Sequence, residues 1–370
     1  METFWYAIVT LMLTMYVVLD GFDFGVGILY PFVTRTETER CTVLDSIGPV
    51  WKGNEVWLVA SGGLLFFAFP RAYAAGFSGF YLALVMVLWL LIFRGLALEL
   101  RSQLSHPLWR QFWDLAFSGA SFFLAIVFGA ALGNLIRGVP LNPEGYFFVA
   151  LWTDFTPGPE PGILDWFTLL MGLASAAILM LHGANYLAMK TDGDLYLRAA
   201  ASAKRTGWIA LVLTCIAMLA SPFVQPALRL NYTAHPLGYL FTVTGALALI
   251  ATVVFRRRQH DVAAFATSSL FILAMLGNVA WGCYPNLLIA TTNPASSLTI
   301  FNATAGAYGL RVGLVWFLFG FALVITSQVY VHRAFWGKVR LDLESSPTGS
   351  HASPDSQRGR LPFDINRPSR

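Results

Sequence analysis

Apolar residues run in stretches of roughly 20 positions along nearly the whole chain, broken by short polar segments. A helix rising ~1.5 Å per residue needs about 20 such residues to cross a ~30 Å hydrocarbon core. The pattern predicts spans over 4–31, 47–70, 76–98, 112–135, 164–188, 207–224, 236–255, 262–284 and 309–332, about nine transmembrane helices. The second is the most interrupted, because Lys52 and Glu55 stand inside it. Small residues four apart, Gly21/Gly25 and Gly129/Gly133, would let neighbouring helices approach closely. The fold expected is therefore all-α and polytopic, an integral membrane protein with residues 1–340 forming the membrane-embedded helical domain. From about Leu343 the chain turns to Ser, Pro, Gly, Asp and Arg. Residues 341–370 are expected to form a disordered cytoplasmic tail, too poor in apolar side chains to fold.

The breaks alternate in charge. Arg35 and Arg40 follow the first span, Arg101 and Arg110 the third, and Lys190, Arg198, Lys204 and Arg205 the fifth. Arg256, Arg257 and Arg258 follow the seventh, and Arg333, Lys338 and Arg340 the ninth. The other breaks hold only Arg71, Arg137 and Arg229, with Arg311 at the outer edge of the last span. Cytoplasmic loops carry the excess of Lys and Arg, so the N-terminus is expected outside and the C-terminus in the cytoplasm, which fits an odd number of spans. The long external break between Arg137 and Asp165 carries Glu144, Asp154, Glu160 and several prolines. It reads as a plain surface loop, with contact to a partner or to the membrane surface as the alternative.

Composition narrows the class. Of 370 residues, 56% are hydrophobic and only 12% charged, too apolar for a domain that must face water on all sides. The formal net charge of +4 resides in short loops between apolar runs, so it reports orientation in the membrane and not nucleic-acid binding. The first run opens at Phe4 without a basic segment before it and is too long for a cleaved signal, so it is expected to stay as a helix. Cys41, Cys215 and Cys283 lie far apart and make neither a disulfide framework nor a CxxC metal knuckle.

Ionisable groups inside apolar spans cost about 2.5–3.5 kcal/mol each near a helix centre, which makes them functional candidates. Asp20 and Asp23, three residues apart, share nearly one face of the first helix. Lys52 and Glu55, equally spaced, open the second and can pair if it is helical there, with Lys52 reaching to the cytoplasmic interface as the alternative. Arg94 stands late in the third span, followed by Glu99, and Asp114 opens the fourth. In the expected topology all of these lie in the cytoplasmic third of the membrane or at its edge, and the external half is almost free of them. One reading is a half-channel for proton uptake, with relay groups bridged by water. The other is a structural ion pair of Asp20 or Asp23 with Arg94 that joins two helices; the two are compatible.

Of six histidines only His182 lies within a span, with no second histidine as an evident axial partner. Beside Gly183 and Asn185 it reads as a packing hydrogen bond and not as a haem ligand. No metal-binding or nucleotide-binding motif stands in usable context, so neither metal nor haem is expected in this chain.

Two segments carry a family resemblance: DGFDFGVG (Asp20 to Gly27) ending the first span and GPVWKGNEVWL (Gly48 to Leu58) entering the second. FSGFYLAL (from Phe77), FRGLALELR (from Phe93), WRQFWD (from Trp109), GNLIRGVP (from Gly133), LHGANYLAMKT (from Leu181) and SSLTIFNA (from Ser296) follow in order. Together they make the chain, over about residues 5–335, resemble subunit II of cytochrome bd-type quinol oxidases. The resemblance implies a heterodimer in the bacterial cytoplasmic (inner) membrane with a homologous subunit I. That partner would carry the haems, of b and d type or b only, oxidise quinol and reduce dioxygen with cytoplasmic protons. Small single-helix accessory subunits, lipid and quinone are further expected partners. Subunit II is understood as haem-free, stabilising the complex and helping to supply protons. Carried over to this sequence, the proton-side candidates are Asp20, Asp23, Trp51, Glu55 and Arg94.

One position departs: after Trp51 the family usually has aspartate, and this chain has Lys52. A lysine replaces a proton-collecting carboxylate only if burial lowers its pKa by several units. Either protons enter differently here, or neighbours such as Asp45 and Glu55 take over. Two rival functions remain open at this stage, a stand-alone proton-linked transporter and a purely structural assembly subunit.

Overall fold

The computed structural model describes residues 1–339, so the tail expected over 341–370 lies outside the described residues. Twelve α-helices make up most of it. They are α1 (Glu2–Val33), α2 (Glu37–Ile47), α3 (Trp51–Ala68), α4 (Pro70–Gly79), α5 (Tyr81–Leu100), α6 (Pro107–Arg137), α7 (Trp166–Lys190), α8 (Gly193–Val224), α9 (Pro226–Ala234), α10 (Tyr239–Arg257), α11 (Asp261–Cys283) and α12 (Ala307–Ala334). Among the described residues eight helices are long and apolar enough to cross a membrane: α1, α5, α6, α7, α8, α10, α11 and α12. The span expected over 47–70 becomes α3, an 18-residue helix. Its first turns hold Lys52, Asn54 and Glu55, which dilute its apolar character and keep it out of the eight.

Three short helices went unpredicted because each lies in a break or straddles the edge of an apolar run. α2 is closed at its start by a reciprocal cap in which the Glu39 amide donates to Thr36 Oγ1 at 3.2 Å and the Glu39 carboxylate accepts from the Thr36 amide. α4 and α9 each begin on a proline, which fits the first helical turn, where its missing N–H is not needed. The all-α expectation also meets a small exception, an antiparallel pair of strands, β1 (Asn286–Leu288) and β2 (Leu298–Thr299).

α1 and α7 form the centre. About 61% of the most apolar window of each is buried, against 17% for α5 and none for α12. Glycine lets the two central helices touch backbone to backbone: a Cβ on Gly25 would lie 1.9 Å from the Leu179 carbonyl oxygen, and one on Gly183 would strike Gly25. The second small-residue pair does the same between α6 and α7, where a Cβ on Gly129 would lie 2.6 Å from the Met171 carbonyl. Helices in lipid gain little from apolar burial alone, so this close van der Waals fit is what holds them together. It also fixes the depth at which the polar residues of α1 meet their neighbours.

Candidate functional site

The acidic turn of α1 is enclosed by α3 and α5. Arg94, fourteenth in α5, extends both terminal nitrogens to Asp20, with Nη1–Oδ1 at 2.7 Å and Nη2–Oδ2 at 3.0 Å, and neither side chain is exposed to any degree. The guanidinium also lies 4.5 Å from the ring centre of Phe24, one turn along α1. A planar cation with fixed donors matches a carboxylate in this two-bond geometry. The expectation that one aspartate pairs with Arg94 is thus met by Asp20.

Asp23 has a different partner. Asn54 of α3 donates from Nδ2 to Asp23 Oδ2 at 2.9 Å, with both residues fully buried. Asp23 Oδ1, Asn54 Oδ1, Arg94 Nε and the Tyr16 hydroxyl, one turn from Asp20, are buried polar atoms without a partner among the described residues. Such groups in a native interior call for a water or a proton. Asn54 and Tyr16 escaped the sequence reading because uncharged polar residues in apolar runs give no cost signal. The available hint was that Asn54 follows Trp51 by three positions and precedes Glu55 by one.

Trp51 is buried, its indole packed where a Cβ of Gly95 would lie 3.4 Å away, so the residue after Arg94 is small enough to admit it. Lys52 does not pair with Glu55. It reaches across to Glu99 of α5 at 2.8 Å, both side chains more than half exposed. The reason is direction: side chains in a helix lean toward its N-terminus, so one in the first turn of α3 projects off the helix end, where Glu99 waits. Glu55 is left half-buried with no ion-pair partner among the described residues, and Asp45 is exposed on α2.

Asp114, expected as a member of the same polar path, sits in a separate cluster. It accepts from the Tyr30 hydroxyl at 2.6 Å, from Arg40 at 3.2 Å and from two nitrogens of Arg101. Arg101 in turn grips Glu37 of α2 at 3.0 and 3.1 Å, and Arg110 adds a bond to Glu37 at 2.9 Å. Glu39 is bound by Arg198 of α8. Arg101 holds the Glu37 carboxyl below the ordinary glutamate range. The cluster clamps α2 across the ends of α5, α6 and α8, which places the start of α3, and with it Trp51 and Asn54.

A second buried charge pair was missed entirely. Arg137 ends α6 and pairs with Asp165, which caps α7, with Asn134 as a further acceptor at 2.6 Å from Arg137. The two residues flank the long break and looked like its solvated edges; folded, they close it at the opposite end of the bundle from α2.

His182 has both ring nitrogens engaged, Nδ1 with Ser268 Oγ at 2.7 Å and Nε2 with the Val18 carbonyl at 3.0 Å, and its ring stacks on Phe265. A carbonyl oxygen only accepts, so Nε2 carries the hydrogen. The side chain joins α1, α7 and α11 and offers no free axial nitrogen, so the residues of this chain do not fit a haem through His182. Among the described residues no three His, Cys, Asp or Glu side chains come together as a metal site.

The quoted sequence segments therefore converge in space: Asp20 and Asp23, Trp51 and Asn54, and Arg94 come from three of them and form one buried unit. Comparison with known proteins agrees. The sequence model for cytochrome bd terminal oxidase subunit II matches residues 1–335. Cytochrome bd-I ubiquinol oxidase subunit 2 of Escherichia coli K12 is 32% identical over 358 residues, covering 90% of this chain and 92% of that protein. Cytochrome bd ubiquinol oxidase subunit 2 of Bacillus subtilis is 29% identical over 336 residues, covering 90% and 96%. A chain in the structure of bd oxidase from Geobacillus thermodenitrificans shares the fold, with a TM-score of 0.73 at 18% identity over 90% of this chain and 98% of that one. On the sequence match and these relatives, the chain belongs to the cytochrome bd terminal oxidase subunit II family.

Proposed function

We propose that this chain acts in the bacterial inner membrane as the haem-free second subunit of a quinol:dioxygen oxidoreductase, and that it delivers protons toward the haem-bearing subunit I. The supporting observation is the string of buried, incompletely bonded polar groups behind Glu55: Asn54 and Asp23, then Asp20 with Arg94, then Tyr16. With the α2 end taken as cytoplasmic, as the positive-inside rule implies, the string starts at that interface and stops within the membrane. Water molecules bridging these groups would make a relay that admits protons from one side only. Quinol oxidation and oxygen reduction stay in the partner with its haems. The weakly covered faces of α5 and α12 are where we seat that partner, accessory helices and lipid.

The test uses the intact complex. Asp23→Asn and Glu55→Gln should slow proton uptake during turnover at unchanged haem content. Normal uptake in both would reject delivery through this site. The assembly reading draws on a specific observation too, the fully buried Asp20–Arg94 pair. Lost haem content and lost complex in the same variants would favour it.

A further inference from the structure

The two aspartates are not equivalent. Asp20 receives two charged hydrogen bonds from Arg94, whereas Asp23 receives one neutral bond, from the Asn54 amide, and among the described residues no cation pairs with it. Each member of the Asp23–Asn54 pair keeps one oxygen without a donor, Oδ1 in both cases, and both residues are completely buried. An ionised carboxylate cannot donate, and an amide oxygen cannot either, so two acceptors are left over beside the one bond that exists. A single hydrogen on Asp23 Oδ1 removes the mismatch. A carboxylic acid and a primary amide joined by N–H···O can close a second bond, O–H···O, from the acid to the amide oxygen.

We infer that Asp23 is held as a neutral carboxylic acid, closed onto Asn54 as an acid–amide pair, and that this is where the chain stores a proton at rest. Asp20 is then the ion-pair partner of Arg94, and Asn54 is a positioning residue. The charges agree. Around Asp23 lie Asp20 on its own helix, Arg94 on α5 and Tyr186 on α7, with Glu55 next to Asn54 on α3. Tyr186 already donates its hydroxyl to the Ser46 carbonyl at 2.6 Å, so it offers Asp23 nothing. With Asp23 neutral, Arg94 and Asp20 balance and the fully buried set carries no net charge. With Asp23 ionised it carries one uncompensated negative charge, the costly arrangement in a membrane interior. Release of the stored proton to the relay leaves a carboxylate still held by Asn54 Nδ2. Reprotonation from the Glu55 side restores the acid, so one proton enters for each that leaves.

The inference rests on the proton-delivery reading but is separable from it. Infrared spectroscopy of the purified complex should show a deuterium-sensitive carbonyl band in the protonated-carboxyl region. Asp23→Asn should remove the band, and Asn54→Leu should keep it but shift it to higher frequency as the hydrogen bond is lost. A carbonyl region identical in the parent and in Asp23→Asn would overturn the inference and point to an ionised Asp23 bridged to Asn54 by water. Proton uptake in the same Asp23→Asn complex is the independent arm. A lost band with normal uptake leaves the stored proton in place and rejects delivery, whereas an unchanged band with slowed uptake does the reverse.

Discussion

Arg94 and Asp20 face each other through two parallel hydrogen bonds of 2.7 and 3.0 Å, in a part of the bundle where neither is reached by solvent. Removing one side strands the other as an unpaired charge, which costs about 3–5 kcal/mol in buried pairs. Arg94→Leu should therefore cut the yield of assembled complex severely. Asp20→Asn should do so too, and the double change less than the sum of the two. Arg110→Leu, which removes a bond to the half-exposed Glu37, is the control and should cost about 1 kcal/mol or less. Equal yields for Arg94→Leu and Arg110→Leu would show that Arg94 has water around it.

The clamp on α2 gives a dependence on pH. Arg101 lowers the Glu37 carboxyl below its ordinary value, so folding and the ionised form support each other. The contribution is fully present above the unfolded-state pKa, near 4.3, and is lost as pH falls through the lower folded-state value. Protection of the backbone amides over residues 37–47, taken relative to the intrinsic exchange rate at each pH, should thus fall in acid, at about pH 4 and below. Glu37→Gln should exchange faster already at neutral pH and show a weaker acid response. The same acid response in both would exclude Glu37 as the titrating group.

His182 tests the division between packing and cofactor binding. Its two hydrogen bonds tie α7 to α1 and α11 in a fully buried position, so His182→Ala removes both ties, although Ser268 keeps its bond to the Phe265 carbonyl. Each lost hydrogen bond is worth about 0.5–1.5 kcal/mol, which should appear as a lower melting temperature of the complex. The haem spectrum per assembled complex should be unchanged. A lost or shifted haem band would mean that His182 touches a haem after all.

Much of this arrangement was written in the sequence, but unevenly. α1 and α5 to α8 follow from apolar runs of membrane length, and the cost of burial alone singled out Asp20, Asp23 and Arg94. α2 gave no such signal: eleven residues, most of them polar, between two apolar runs look like a loop until Arg101, Arg110 and Arg198 are brought to Glu37 and Glu39. Asp114 was singled out as an interfacial acid, yet its role as the hub for Arg40, Arg101 and Tyr30 depends on residues up to 84 positions away. Arg137 and Asp165 carried opposite charges on either side of a long break, and nothing local says that 28 residues of chain bring them together. Asn54 is the most consequential omission, because only the folded chain shows it as the partner of Asp23.

Lys52 and Glu55 make the sharpest separation between bland and functional readings of the α3 entrance. Same-face spacing suggested a pair, but Lys52 is drawn to Glu99, and both ends of that bridge are more than half exposed. An exposed pair contributes roughly 0–1 kcal/mol and weakens with salt. Lys52→Ala should therefore change neither melting temperature nor haem content measurably, and it should leave proton uptake at the parental rate. Glu55 is half-buried, lies one position from Asn54 and has no ion-pair partner among the described residues, so a neutral replacement removes a titratable step and little else. Glu55→Gln should slow uptake with the haems intact. Lys52→Asp, which rebuilds the family's usual carboxylate, would stand beside Glu99 with the same charge. It should rescue Glu55→Gln only weakly, and more fully once Glu99→Gln is added. Strong rescue by Lys52→Asp alone would place the entrance at position 52, and slowed uptake in Lys52→Ala would make the Lys52–Glu99 bridge part of the proton route.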